Sequence, residues 1–191
     1  MKKVSLTIAI VALVVFAMAS CGNKSGGSAK DNGKEATALP EGYKTFEFAN
    51  FSLSVPEEFT TSYDANSEYV RFNSDARLTF DDGEEYSSSA TIDAGFMAGG
   101  GTPSQIKEIA ETMKLSQEAT GETCDEPVVD GNTILMRHYH ESDYGGKYIT
   151  WRWWVVSKDG KNISGNIAYP EKESKFYDGV AKNIVKTIKI K

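Results

Sequence analysis

Apolar residues recur at every second position through most of this chain and at every third or fourth in two places, and that change of period predicts its elements. Phe46 and Phe48, then Phe51, Leu53 and Val55, alternate on either side of Ala49-Asn50 and stop at Pro56, as two short half-buried strands or one bulged strand do. Val70 and Phe72, Leu78 and Phe80, and Ala90, Ile92, Ala94 and Phe96 continue the period of two. Gly99-Gly100-Gly101 breaks it. Thr102-Pro103-Ser104-Gln105 then supplies a Thr cap, Pro at the first helical position and Gln at the third, the makings of a capping box. Ile106, Ile109, Ala110 and Met113 fall on one face at helical spacing, which predicts a helix from Pro103 to about Gln117.

Three further strands are predicted from Thr133 to His140, Tyr148 to Ser157 and Lys161 to Tyr169. Between the last two, Lys158-Asp159-Gly160 is a three-residue hairpin loop with Gly available for the left-handed position. Closing it pairs Ser157 with Lys161. Counting then sets Val155 against Ile163, Trp153 against Gly165, Trp151 against Ile167 and Ile149 against Tyr169. Each pair is apolar or lays an indole over a glycine. The opposite face carries Thr150, Arg152, Trp154, Asn162, Ser164 and Asn166. The loop from His140 to Ile149 is too long to fix a register by counting, so segregation of apolar side chains to one face decides it. That choice places Ile134 and Met136 beside Trp153 and Val155, Arg137 and Tyr139 beside Arg152 and Trp154, and His138 and His140 on the Trp151 side.

After Tyr169-Pro170, Glu171 and Glu173 come early, Phe176, Val180 and Ile184 form a stripe, and Lys182 and Lys186 come late. This predicts a terminal helix whose charges suit its dipole. Ile188 and Ile190 add a last short strand. Strands, a capped helix, a three-stranded meander and a terminal helix together imply an α+β fold, an antiparallel β-sheet packed with two main helices.

The first residues read differently. Lys2 and Lys3 precede an unbroken apolar run from Ile8 to Ala19 that leads through Ser20 to Cys21. A basic region, a short apolar region and small residues at a cleavage point make a secretory signal, and the run is shorter than the roughly 20 apolar residues a spanning helix needs. Met18-Ala19-Ser20-Cys21 resembles a bacterial lipobox, which implies cleavage before Cys21 and lipidation of it with more than one acyl chain. From Gly22 to about Pro40 the chain is Gly, Ser, Lys, Asn, Glu and Ala with little to bury. The expected organisation is a signal peptide over 1–20, a flexible tether over 21–42 from lipidated Cys21, and one globular domain over 43–191. Losing Lys2 and Lys3 takes the 21 basic residues to 19 against 27 acidic ones, a net charge of −8. Such a chain is unsuited to nucleic acid or to a polybasic membrane footprint, so the membrane contact is expected through the lipid. With Cys21 lipidated, Cys124 is the one remaining thiol and no internal disulfide can form.

Over roughly Tyr43 to Lys191 the layout resembles the PsbP-like superfamily, which includes photosystem II extrinsic proteins, a nuclear-transport factor and many bacterial lipoproteins. The matching stretches are Phe51-Ser52-Leu53-Ser54-Val55-Pro56 with Phe59, Asp130-Gly131 opening the meander, and Ile184-Val185-Lys186-Thr187-Ile188 at the end. The resemblance implies a PsbP-like α/β sandwich with no catalytic motif, and hence a non-enzymatic accessory or binding role.

Candidate chemistry is sparse. Arg137, Tyr139, Arg152, Trp154 and Asn166 form, in the register above, one polar and aromatic face with two guanidinium groups, suited to an anionic or sugar-like ligand or to a partner's carboxylates. His138 and His140, two apart on a strand, can seat two imidazoles on a metal, with Glu141 and Asp143 nearby as oxygen ligands. The glycine run before Thr102 lacks the Lys and spacing of a P-loop and reads as a flexible connection. Asp81-Asp82-Gly83-Glu84-Glu85 does not match an EF-hand loop and reads as a hairpin turn. Cys124 lies among Glu122, Asp125 and Glu126, which work against a reactive thiolate. The expected function is a lipid-anchored envelope lipoprotein, at the outer membrane as Gly22 after Cys21 suggests, acting as a non-catalytic binding or accessory module. No cofactor is implied, and the expected partners are an envelope protein or a small anionic or sugar-like ligand. The alternative is a metal-dependent hydrolase built on His138 and His140.

Overall fold

The period-two segments become antiparallel strands, and the segments of helical period cover them. A computed structural model describes residues 39–142 and 146–191, all within one compact unit, Thr37–Lys191. Cys21, the tether as far as residue 38, and Asp143 therefore lie outside the described residues. In chain order the elements are β1 (Tyr43–Glu47), β2 (Phe51–Pro56), β3 (Phe59–Thr60), β4 (Tyr69–Ser74), β5 (Arg77–Thr79), β6 (Glu85–Ser87), β7 (Thr91–Met97), α1 (Ile106–Glu118), β8 (Thr123–Cys124), β9 (Val128–Asp130), β10 (Thr133–Glu141), β11 (Lys147–Val156), β12 (Asn162–Pro170), α2 (Ser174–Tyr177), α3 (Val180–Thr187) and β13 (Lys189–Ile190). The main sheet runs β3-β4-β7-β12-β11-β10-β8, with β9 also pairing β10, and a smaller sheet runs β1-β2-β13. The fold is the expected antiparallel α+β arrangement. No helix among the described residues is long and apolar enough to cross a membrane.

The main core lies between the large sheet, the small sheet and α3. Phe51, Leu53, Val55, Phe59, Phe72, Trp153, Ile163, Ile167 and Ile184 are fully buried there. The β11–β12 hairpin has the register that its loop dictates: Trp153 faces Gly165, Val155 faces Ile163, and the Ser157 N–H donates to Lys161 O at 2.8 Å. A Cβ on Gly165 would stand 2.5 Å from the Trp153 ring and 2.3 Å from the Asp93 carbonyl, so only glycine admits the indole. The stretches resembling the PsbP-like superfamily meet across the small sheet, where the Ser54 N–H donates to Thr187 Oγ1 at 2.9 Å and Phe59 packs edge-on to Tyr177. Asp81 to Glu85 forms the β5–β6 turn, with Gly83 at φ 86°.

The β10–β11 register differs from the expected one. Leu135 pairs with Trp153, Met136 with Arg152, Arg137 with Trp151, His138 with Thr150 and Tyr139 with Ile149. Arg137 and Tyr139 therefore share the Trp151 face, and Ile134, Met136 and His138 share the face of Arg152 and Trp154. The physical reason is that this end of the sheet is covered on both sides. Ile134, Met136 and Val156 meet Ile106, Ala110 and Met113 of α1 in a second core, while Leu135 faces the first. Three successive apolar residues on β10 are those of a strand buried on both faces, for which a single apolar face is the wrong criterion.

The two helical stretches begin as expected. Pro103–Gln105 is a 3₁₀ turn leading into α1, and Gln105 Oε1 accepts from the Thr102 N–H at 3.1 Å. The terminal stretch is broken: a 3₁₀ turn over Glu171–Glu173, then α2, then α3. Asp178 stands at the break, its carboxylate accepting from the Tyr169 hydroxyl at 2.6 Å. The break puts Tyr177, not Phe176, in line with Val180 and Ile184; Tyr177 is buried and Phe176 is exposed against Phe80.

Candidate functional site

The five residues expected on one face occupy two. Arg137 lies toward the β8 edge, 3.6 Å from Asp125, and its guanidinium stands over the Tyr139 ring together with Lys147. On the same face Lys182 of α3 stands over Trp151. These side chains are committed to one another and to the core. Arg152, Trp154 and Asn166 do share a face, the one on which α1 lies.

α1 packs over β8, β9 and β10, and a cleft opens along its edge beside β11. The cleft encloses about 440 Å³, with Arg152 and Trp154 as the sheet wall and Glu108, Thr112 and Ser116 of α1 opposite. That volume lies within the usual small-molecule range of about 300–1,000 Å³. Ile109 and Met113 make it apolar toward the second core. Its mouth is formed by the glycine run. A Cβ at Gly101 would fall 2.4 Å from Ile109 Cδ1 and one at Gly100 3.0 Å from Asn162 Nδ2, and both residues have positive φ, 125° and 148°. The glycines here serve close approach as well as connection.

A polar row leads into this cleft across four strands, Arg71, Asp93, Asn166 and Arg152 being successive cross-strand partners. Arg71 grips Asp93 through Nε at 2.7 Å and Nη2 at 2.9 Å, and the Tyr69 hydroxyl also donates to Asp93. Burial would raise the Asp93 carboxyl, but the hydrogen bonds from Arg71 and Tyr69 outweigh it and hold the group below the usual carboxylate range. Tyr69, itself 44% exposed, covers Gly95 and meets Tyr63 edge-on. Arg152 ends the row differently: among the described residues no carboxylate lies within ion-pair distance of its guanidinium and no side-chain hydrogen bond holds it.

His138 is 5% exposed and bonded through Nδ1 to Glu122, while His140 is exposed beside the Tyr148 ring. Among the described residues no group of three or more His, Cys, Asp and Glu side chains could hold a metal ion. Cys124 lies cross-strand from His138, and burial, then the Glu118 and Glu122 carboxylates, push its thiol up. One polar site was not foreseen. Glu173 is fully buried, accepting from Ser88 Oγ at 2.7 Å, the Ser89 N–H at 3.2 Å and Ser89 Oγ at 3.3 Å. The sequence signal for it is slight: Ser87-Ser88-Ser89 interrupts an otherwise apolar alternation.

Fold and cleft together define an antiparallel α+β protein with an open, polar sheet face beside a covering helix. Among solved structures, the chain is similar to the Ran-binding protein Mog1p of Saccharomyces cerevisiae, with a TM-score of 0.54 and 12% identity over 78% of this chain and 95% of that one. It is similar to the Mog1 E65A mutant at a TM-score of 0.55 and 11% identity, with the same coverage. A cyanobacterial PsbP from Synechocystis aligns over 86% of this chain and 98% of its own, at 9% identity and a TM-score of 0.44. At these identities the likeness to Mog1 shows the fold. No protein family and no curated protein matches the chain.

Proposed function

We propose that this protein is a lipid-anchored lipoprotein of a bacterial envelope, held at the outer membrane through Cys21, whose domain is a non-catalytic binding module working through the α1 cleft. The anchor rests on Lys2, Lys3, the apolar run and Cys21. The fold supports an accessory role in kind, since Mog1p, named a Ran-binding protein, is built the same way. The observation that carries the binding role is Arg152: a guanidinium on the same cleft wall as an indole, with no ion-pair partner among the described residues. Such a group is kept in water by itself and gains a charge-assisted contact only when something enters. No observation favours the hydrolase reading, because His138 is engaged by Glu122 and His140 faces outward. The test is capture from native membranes with the anchored protein and with Arg152→Ala. The variant should fold like the parent and lose the captured component, and equal capture by both would overturn the cleft as the binding site.

A further inference from the structure

We infer that the cleft takes a small organic monocarboxylate with a flat apolar body, its carboxylate on Arg152 and its body against Trp154; this rests on the reading of the cleft as a binding site. The guanidinium calls for an anion, and its planar fork matches a carboxylate in two parallel hydrogen bonds. Among the described residues none supplies it. Asp93, the carboxylate on the same polar row, has its oxygens taken by Arg71 and Tyr69. Glu108, on the opposite wall, forms no ion pair with Arg152. Charge sets an upper limit on the ligand. Glu108 faces the bound anion, and the whole chain carries −6, so each additional negative charge on a ligand is opposed where a single one is matched by Arg152. Phosphate, phosphate esters and acidic peptides, which carry more than one charge near neutrality, are disfavoured on that count. Shape supplies the rest: the Trp154 indole with Ile109 and Met113 gives the cleft its apolar surface, Thr112 and Ser116 add hydroxyls, and the volume of about 440 Å³ fits a small molecule.

The experiment titrates the full chain, purified in mild detergent, with phenylacetate, with its uncharged isostere phenylacetamide and with inorganic phosphate, following tryptophan fluorescence and the heat of binding. Phenylacetate should saturate, and phenylacetamide and phosphate should each bind at least about tenfold more weakly, the factor expected for loss of one charged hydrogen-bonded contact. Arg152→Gln, with an unchanged thermal transition, should erase the preference for the acid, and Trp154→Phe should remove most of the fluorescence change. Equal binding of acid and amide, stronger binding of phosphate, or acid binding untouched by Arg152→Gln would overturn the assignment. The two readings separate cleanly. Membrane capture that depends on Arg152 without any binding of phenylacetate leaves the cleft as a binding site and refutes the carboxylate class, whereas capture that ignores Arg152 refutes the site itself.

Discussion

Glu173 is an acidic side chain with no exposure to water, and its three hydrogen bonds come from Ser88 and Ser89, more than eighty residues earlier in the chain. It ties the start of the terminal helical stretch to the β6–β7 connection. Removing it strands buried donors, and each donor left without an acceptor costs about 1–3 kcal/mol. Glu173→Ala is therefore expected to lower unfolding free energy by at least about 2 kcal/mol in urea denaturation with an unchanged m-value. A loss under half of that would show that water replaces the carboxylate. Asp93 is an acid whose ionised form is favoured. Its folded pKa is depressed, so its contribution to stability is present above the ordinary carboxylate pKa of about 4 and is lost as pH falls through the lower folded value. Asp93→Asn should flatten the fall of melting temperature on the acid side of about pH 4, with little change in the shape of the profile near neutrality. A variant whose acid limb overlays that of the parent would refute the role of the Arg71 and Tyr69 contacts.

At the scale of elements, α1 and β10 decide how the sheet is used. Met136 is fully buried and Met113 nearly so, in one cluster beneath the helix. Each change to Ala is expected to cost about 2–5 kcal/mol, and the double mutant should show a coupling of about 0.5–3 kcal/mol because the two fill the same space. Additive losses would mean that α1 does not pack on β10 as described. This contact is also where the sequence stopped being decisive. Lys158-Asp159-Gly160 fixes the β11–β12 register because a three-residue loop leaves nothing to choose, and Gly160 has the positive φ, 83°, that it requires. The capped start of α1 was equally local, since cap, Pro and Gln lie within four residues. The β10–β11 loop leaves the register open, and the rule used to close it assumed one apolar face. Ile134-Leu135-Met136 carried the contrary signal, three buried residues in a row, but only the placement of α1 over that end of the sheet gives it meaning. The same error joined Arg137 and Tyr139 to Arg152 and Trp154. Arg152, Trp154 and Asn166 were legible as neighbours because the hairpin count placed them together; the cleft was not, because its other wall comes from a helix whose position no local pattern specifies.

For the whole molecule the proposed anchor raises the question of how an acidic domain would be held at a membrane. Cleavage before Cys21 would remove Lys2 and Lys3 and leave a charge of −8, which anionic lipid headgroups would repel. None of its described helices can cross a bilayer. The proposed attachment through acyl chains on Cys21 would resolve the difficulty, because two or more chains hold a protein firmly where one gives only marginal, reversible binding. The segment from Gly22 to Pro40, poor in apolar residues, would then set the reach of the cleft from the membrane surface. Cys21→Ser is expected to release the protein into the non-membrane fraction or to leave an unprocessed precursor, with the melting temperature of the domain unchanged because Cys21 lies outside the unit that contains both cores. Fractionation with mass analysis of the N-terminus reads both outcomes. If the variant stays in the membrane and is processed like the parent, the protein is not held by lipid on Cys21.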